Sequence, residues 1–395
     1  MNTDEPRSNL RRFYKKYAFT LWVLVAVAAS MTYPAAFRVW FGTDLKVLIV
    51  PLIQLITFGM GTTLSAKDFR NVVTMPWPVF IGIALQFVIM PLIGFTIAMT
   101  FGFPPEVAAG VILIGSVSSG VASNVMTYLA GGNVPLSVTI TSSTTLLSPV
   151  VTPFWMKILA GRLVPVNFVA MMLSIFNMII IPIVAGLVAN RLLYGKKRWA
   201  NRALALAVTG PVLVALAVVT MLTRTSWWGP LAALKHGVAL GFLLLGVTAL
   251  AKLLIGIMLK GPANWMDKTL PVVSMAGICF IIAIITAQSR DQLLSVGPLL
   301  ILAAVVHNGA GYGLGYAGAR LARLDESACR AVAMEVGMQN GGMASGIAID
   351  VLKSTSAALA PAIFGPWMNV SGSLLAGWWR RRPVITAPKS PSRAT

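Results

Sequence analysis

The sequence predicts an all-α polytopic membrane protein. Three observations lead there: the bulk composition, the length of the apolar runs and the placing of the basic residues between them. Of 395 residues, 57% are hydrophobic and only 11% charged, and the mean hydropathy is +0.81. Soluble domains carry roughly 25% charged residues. Most of this chain must therefore face lipid, or protein that is itself buried in lipid. The length fits one membrane domain, residues 1–382, rather than several soluble ones.

A span needs about 20 mostly apolar residues. Such runs fall near 17–37, 45–63, 76–100, 104–130, 134–160, 165–192, 202–222, 236–259, 268–288, 296–319, 326–352 and 356–379. The count is about twelve spans. The first run follows a polar, basic N-terminus and is long enough to cross, so it reads as an anchor and not a cleaved signal. Lys67 and Arg70 occupy the short loop after the second run, and Lys260 and Lys268 flank the loop after the eighth. Trp227-Trp228, Trp265 and Trp378-Trp379 stand where an interfacial aromatic belt would. The tail 383–395, rich in Pro, Ser and Ala, is expected to be disordered.

The net charge of +20 would suit nucleic acid if it formed one surface, but it does not. Basic residues cluster at Arg7–Lys16, Arg191–Arg202, Arg320–Arg330 and Arg380–Arg382, between the apolar runs. With a cytoplasmic N-terminus, about 22 of the 31 basic residues fall on the cytoplasmic side. The positive-inside rule then favours an even number of spans with both ends in the cytoplasm of a cell membrane, by expectation a bacterial inner membrane. Cys279 and Cys329 are too few for a disulfide framework, and His236 and His307 too isolated for a zinc site.

The chain carries an internal echo. Gly115-Ser-Val-Ser-Ser-Gly-Val-Ala-Ser123 in the fourth run aligns without gaps on Gly337-Met-Gln-Asn-Gly-Gly-Met-Ala-Ser345 in the eleventh. Clustered glycine with hydroxyl and carboxamide residues is poor composition for an unbroken helix. The two runs are seven apart, which puts them in opposite orientation across the membrane. Paired interrupted helices in inverted repeats place a binding site at the breaks. The repeats are expected at about 17–160 and 165–380, with an inserted segment at about 200–262.

Broken helices present carbonyl ends that attract cations and amide ends that attract anions. Together they suit sodium, a hard cation that wants oxygen ligands, beside a carboxylate-bearing substrate. Glu335 is the acid in the middle of the eleventh run, and a carboxylate at membrane depth costs a few kcal/mol or more. Gln339 and Asn340 lie on the same break, Ser123 and Asn124 on the other. Ser137 and Thr141, four apart, share one face of the fifth run, and Gln86 is the strongly polar residue deep in the third. A span hydroxyl either back-bonds to its own helix or binds an ion, and a lone carboxamide either cross-links helices or binds one. The spacing of Ser137 and Thr141 does not choose between these. His307-Asn308 reads as a helix–helix hydrogen-bonding pair, and Lys252 and Asp350 as residues reaching out from span ends. An intramembrane hydrolase would need Ser118 and His307 to pair, with no acid to complete them.

Gly120-Val-Ala-Ser-Asn-Val-Met-Thr-Tyr-Leu-Ala-Gly-Gly-Asn-Val-Pro-Leu-Ser-Val-Thr-Ile-Thr141 and Glu335-Val-Gly-Met-Gln-Asn340 resemble the bile acid:sodium symporter family, in its bacterial form. So do His307-Asn-Gly-Ala-Gly-Tyr312 and Met368-Asn-Val-Ser-Gly372, and the likeness runs over most of 17–195 and 265–382. The resemblance implies ten spans in two inverted repeats, a core and a panel domain, and two crossed discontinuous helices. It implies one sodium site from Ser123, Asn124, Ser137, Thr141 and Glu335. A second would comprise Gln86, Glu335, Val336, Met338 and Gln339, with Val336 and Met338 giving backbone carbonyls. Asn340 and Asn369 would face a small organic anion, such as a bile acid-like, pantoate-like or keto acid. The expected activity is sodium-coupled symport, not enzymatic catalysis. The alternative is a proton-coupled or efflux carrier of arsenite- or auxin-carrier type; Ser116 and Ser118 offer no thiolate for arsenite. The family's usual Cys-Cys-Pro-Gly-Gly reads Ser116-Val-Ser-Ser-Gly120 here, without the proline.

Overall fold

The computed structural model describes residues 21–64, 66–195, 202–262 and 265–382. The start of the first predicted span, the basic cluster Arg7–Lys16 and the tail predicted to be disordered lie outside the described residues. The chain is helical nearly throughout: α1 (Leu21–Thr32), α2 (Ile49–Thr63), α3 (Ala66–Thr74), α4 (Pro76–Thr100), α5 (Pro105–Ser116), α6 (Ala122–Leu129) and α7 (Val134–Trp155) come first. They are followed by α8 (Phe168–Ile175), α9 (Ile181–Tyr194), α10 (Ala203–Leu222), α11 (Lys235–Ala251) and α12 (Trp265–Gln288). The chain closes with α13 (Arg290–Leu321), α14 (Glu326–Gly337), α15 (Gly341–Asp350) and α16 (Thr355–Arg380). Among the described residues, 8 helices are long and apolar enough to cross a membrane. This is a multi-pass membrane protein.

The two runs that echo each other in sequence are the two that break, into α5/α6 and α14/α15. Tight loops join the elements because side chains cap the next helix. Asn133 accepts from Leu136 N, Asn167 from Ala170 N, Asp325 from Ala328 N and Ser354 from Ala357 N. One small departure from all-α is a two-residue ribbon, β1 (Val39–Trp40) with β2 (Thr43–Asp44). Phe41 and Gly42 both take positive φ at its turn, as a tight hairpin of this length requires.

The helices form two groups. α4, α7, α13 and α16 surround the broken pair, while α2, α9, α11 and α12 pack on one another beside it. A π turn at Phe176–Ile180, between α8 and α9, ties the second group together. Its carbonyls accept from Gln54 Nε2 (Asn177 O, 3.0 Å) and Thr57 Oγ1 (Met178 O, 3.1 Å) of α2, while Asn177 Oδ1 accepts from Gly237 N of α11 at 2.6 Å. The 202–262 stretch is thus a hairpin whose second helix is bolted to α9 and whose first, α10, packs on the second. Lys252, expected to reach out from a span end, is buried instead and donates to Leu192 O at 2.7 Å. The carbonyl end of α9 is a favourable seat for a cation.

α2 and α9 meet through glycines. A Cβ on Gly61 would fall 2.3 Å from Ile183 O, and one on Gly186 would fall 2.3 Å from Phe58 O. Close approach of this kind is how helices pack without large side chains between them. Gly186→Ile should destabilise the protein by about 1–3 kcal/mol or more through overpacking. Gly309→Ala, where nothing lies within 4 Å, should leave the melting temperature in detergent unchanged or raised. Thermal unfolding of the two variants beside the parent checks both.

Candidate functional site

The centre of the molecule is where the two breaks cross. α5 ends at Ser116 and α6 starts at Ala122; α14 ends at Gly337 and α15 starts at Gly341. Val117 (φ −85°, ψ 170°) and Met338 (φ −118°, ψ 100°) are extended, so each helix stops because the chain straightens. The first break needs no proline. The extended segments lie antiparallel, with Ser119 opposite Gln339. Gly120 N donates to Met338 O at 2.9 Å and Asn340 N to Ser118 O at 2.8 Å. Gly120 is small by necessity, since a Cβ there would stand 2.8 Å from Gln339 O.

The other carbonyls freed by the breaks are met by side chains. Thr152 Oγ1 donates to Ser116 O (2.8 Å) and Gln86 Nε2 to Val117 O (3.0 Å). On the second break, Gln339 Nε2 donates to Val336 O (2.7 Å) and Asn308 Nδ2 to Gly337 O (2.8 Å). Unpaired carbonyls at membrane depth would cost several kcal/mol each.

Beside this crossing Glu335 is fully buried in a ring of hydroxyls. Oε1 accepts from Ser123 Oγ and Ser137 Oγ, both at 2.5 Å. Oε2 accepts from Ser119 Oγ at 2.6 Å and Thr141 Oγ1 at 2.7 Å. Asn124 Oδ1 joins the same cluster, taking Ser137 Oγ at 2.8 Å and Thr141 Oγ1 at 3.3 Å, and Thr127 Oγ1 lies 3.1 Å from Ser137 Oγ. Among the described residues no Lys, Arg or His forms an ion pair with Glu335. Arg330, less than two turns earlier, is turned to Glu326 and to the carbonyls of Ala130, Trp379 and Arg382. The result is a cluster of oxygens gathered around one carboxyl group, the chemistry a hard cation selects.

Gln86 and Gln339 form a second polar group one step along the crossing. Gln86 Nε2 donates to Gln339 Oε1 at 2.5 Å, and both carboxamides reach the carbonyls Val117 O and Val336 O. Met338 O is already engaged by Gly120 N. Every hydrogen bond of Glu335 goes to the hydroxyl cluster and none to Gln86 or Gln339.

A cavity of about 550 Å³ opens between the crossing and the helices α2 and α12. Asn340 and Asn369 line it, with Gly120, Gly342 and Ser345 on the same side and Thr57 and Ser274 opposite. Asn340 Oδ1 caps α15 by accepting from Met343 N, which leaves its amide N–H2 group for the cavity. Asn369 Nδ2 donates to Gly365 O at 2.9 Å, which leaves its oxygen and its second N–H. No Lys, Arg or His stands among the lining residues. A crevice of about 210 Å³ reaches Asn124 and Thr141 from beside it.

The structure thus gathers Ser123, Asn124, Ser137, Thr141 and Glu335 in one place, and Gln86 with Gln339 beside them. Sequence reading passed over Ser119 and Thr127. Both sit in hydroxyl-rich stretches where nothing in the spacing singles them out. The echo aligns Gly115 with Gly337, and the two segments meet with Ser119 opposite Gln339. Asn308 does cross-link helices as expected, while buried His307 has no side-chain hydrogen bond among the described residues and its ring lies beside the backbone of Met90. Ser118 Oγ is directed at Met343 Sδ at 3.7 Å, so the pairing with His307 that a hydrolase would need is not formed.

The model of the Sodium Bile acid symporter family matches residues 50–227, a match that runs on through α10. The chain is 33% identical to the uncharacterized sodium-dependent transporter YocS of Bacillus subtilis (strain 168), over 92% of this chain and 91% of that one. It is 27% identical to the probable sodium/metabolite cotransporter BASS1, chloroplastic, of Arabidopsis thaliana, over 94% of this chain and 74% of the relative. Among solved structures, the sodium proton antiporter MjNhaP1 of Methanocaldococcus jannaschii superposes with a TM-score of 0.55 at 14% identity, covering 96% of each chain. That likeness is one of fold.

The crossing makes a clean stability prediction away from the acidic cluster. Thr152→Val keeps the shape of the side chain but leaves the buried Ser116 carbonyl without a donor. The expected cost is about 1–3 kcal/mol, read as a lower melting temperature of the purified protein in detergent.

Proposed function

Since this chain belongs to the sodium bile acid symporter family, we propose that it is a sodium-coupled symporter of a small organic anion and works by alternating access. It is a transporter and not an enzyme, and its homologues are sodium-dependent. The observation that carries the proposal is Glu335, fully buried with no cationic partner among the described residues, whose two carboxylate oxygens are each met by two hydroxyls. Sodium on Ser123, Asn124, Ser137, Thr141 and Glu335 would neutralise that charge with oxygen ligands. Ser119 belongs to the same set. A second sodium would take Gln86, Gln339 and the Val336 carbonyl, with Glu335 and Met338 O at its edge.

Charge balance explains the coupling. Among the described residues no cationic side chain lines the cavity, so an anion entering it depends on positive charge from elsewhere. Two sodium ions beside the crossing supply that charge where Coulomb attraction is poorly screened. The N–H2 of Asn340 and the amide end of α15 suit a carboxylate. The oxygen of Asn369 suits a hydroxyl or N–H on the same substrate, which favours a hydroxylated organic acid. The twelve helical passes, with the two breaks in inverted repeats, form a core around the crossing and a panel of α2, α9, α11 and α12. The cavity lies between these groups, so rocking one against the other would change the side to which it opens. We place both termini in the cytoplasm of a bacterial inner membrane on the distribution of basic residues.

Sodium should raise the melting temperature of the purified protein where potassium does not, and an organic anion should add to the shift only in sodium. Glu335→Ala should lose both the sodium shift and sodium-dependent uptake while remaining monodisperse. Ser119→Ala should weaken sodium about tenfold or more, the weight of one hydrogen bond to a charged group. Sodium dependence unchanged in Glu335→Ala would overturn the assignment.

A further inference from the structure

We propose that Tyr312 is a positioning residue that carries the state of the ion cluster to the anion cavity, acting through Met368 and Ser371 on Asn369. The proposal rests on the sodium reading above. One face of α13 touches both breaks and α16. Near its middle, His307 lies against the first break, where a Cβ on Gly115 would come 3.1 Å from Nε2. One residue on, Asn308 holds Gly337 O at 2.8 Å. One turn further, Gly311 and Tyr312 close on the same glycine. A Cβ on Gly311 would stand 2.9 Å from Gly337 Cα, and one on Gly337 would stand 2.0 Å from Tyr312 Cδ1.

The end of α14, two residues from Glu335, is therefore seated on the tyrosine ring with no side chain between. The other end of that ring reaches α16. Tyr312 Oη lies 3.0 Å from Ser371 Oγ and donates to Met368 O at 3.4 Å. Met368 is held from the opposite side as well, its Sδ accepting from Gln339 N at 3.0 Å. Asn369, the next residue, lines the cavity. A shift of the Gly337 end on ion binding has nowhere to go but into the ring, because interiors at this packing density do not absorb it. Its hydroxyl passes the shift to the turn of α16 that carries Asn369.

Tyr312→Phe tests this, because it keeps the ring and removes only the link. The variant leaves no buried group orphaned, since Ser371 Oγ still donates to Met368 O at 3.3 Å. The reporter is Asn369→Cys in a chain with Cys279 and Cys329 replaced by Ala, labelled by a maleimide in sodium or in potassium alone. In the reporter chain, sodium should change the labelling rate about fivefold or more, the lower range of coupling between sites. With Tyr312→Phe added, the rates in the two salts should agree within about twofold, while the sodium-induced rise in melting temperature persists. Ser371→Ala removes one of the two contacts of the hydroxyl and leaves Tyr312 Oη on Met368 O, so sodium should change the labelling rate less than in the reporter chain; an unchanged sodium effect there overturns the proposal if Tyr312→Phe does not fold. A merely structural hydroxyl would lower the melting temperature and leave labelling sodium-dependent; that result overturns the proposal. So does labelling indifferent to sodium in the reporter chain when the sodium shift is present. Absence of the sodium shift from the parent protein defeats the sodium reading first, and this proposal falls with it.

Discussion

A peptide group in an apolar interior must find a partner, and in this protein two interrupted helices find theirs in each other. A single broken helix would leave carbonyls and amides stranded where water does not reach. Two breaks laid antiparallel exchange Gly120 N–H for Met338 O and Asn340 N–H for Ser118 O. Thr152, Gln86, Gln339 and Asn308 then meet the carbonyls that remain. The rest of the architecture follows from holding this crossing in place. α4, α7 and α13 are the helices that bring those side chains to it.

The same constraint generates the chemistry. Straightening the chain at Val117 and Met338 sets two helix ends, with their partial charges, within a few residues of one carboxylate. Hydroxyls answer that carboxylate, and hydroxyl oxygens accept a cation as readily as they donate to an anion. A fixed ion pair with arginine would also have neutralised Glu335, but permanently. Arg330 is buried nearby and is occupied by Glu326 and by backbone carbonyls. The acid is left without a fixed counter-charge among the described residues.

Much of this was legible in the residues, for a physical reason. Polar groups are costly at membrane depth, so those that persist stand out against apolar sequence; Glu335, Gln86 and the glycine-rich echo did so. Ser119 did not, because a serine among serines carries no signal until the chain path places it 2.6 Å from Oε2. Asn369 entered only by resemblance to a family. The π turn at Phe176–Ile180 and the seat of Lys252 on Leu192 O also escaped, since each depends on which helix lies alongside. Periodicity within one segment does not report its neighbours. The pairing of Ser119 with Gln339 was not legible either, because aligning two segments does not say which of their residues face each other.

The antiparallel bridge also has a consequence for how the protein is made. Chains are synthesised from the N-terminus, and Ser119 is built 216 residues before the Glu335 it will hold. When the first interrupted helix enters the membrane, the backbone groups around Ser118 and Gly120 have no lasting partner. The membrane-inserted intermediate must shelter them, in a provisional unbroken helix or against the insertion machinery, until α14 and α15 arrive. Assembly of the crossing is then a late event of biogenesis, and a chain cut short after α13 would hold α5 and α6 yet lack the partner that satisfies their break.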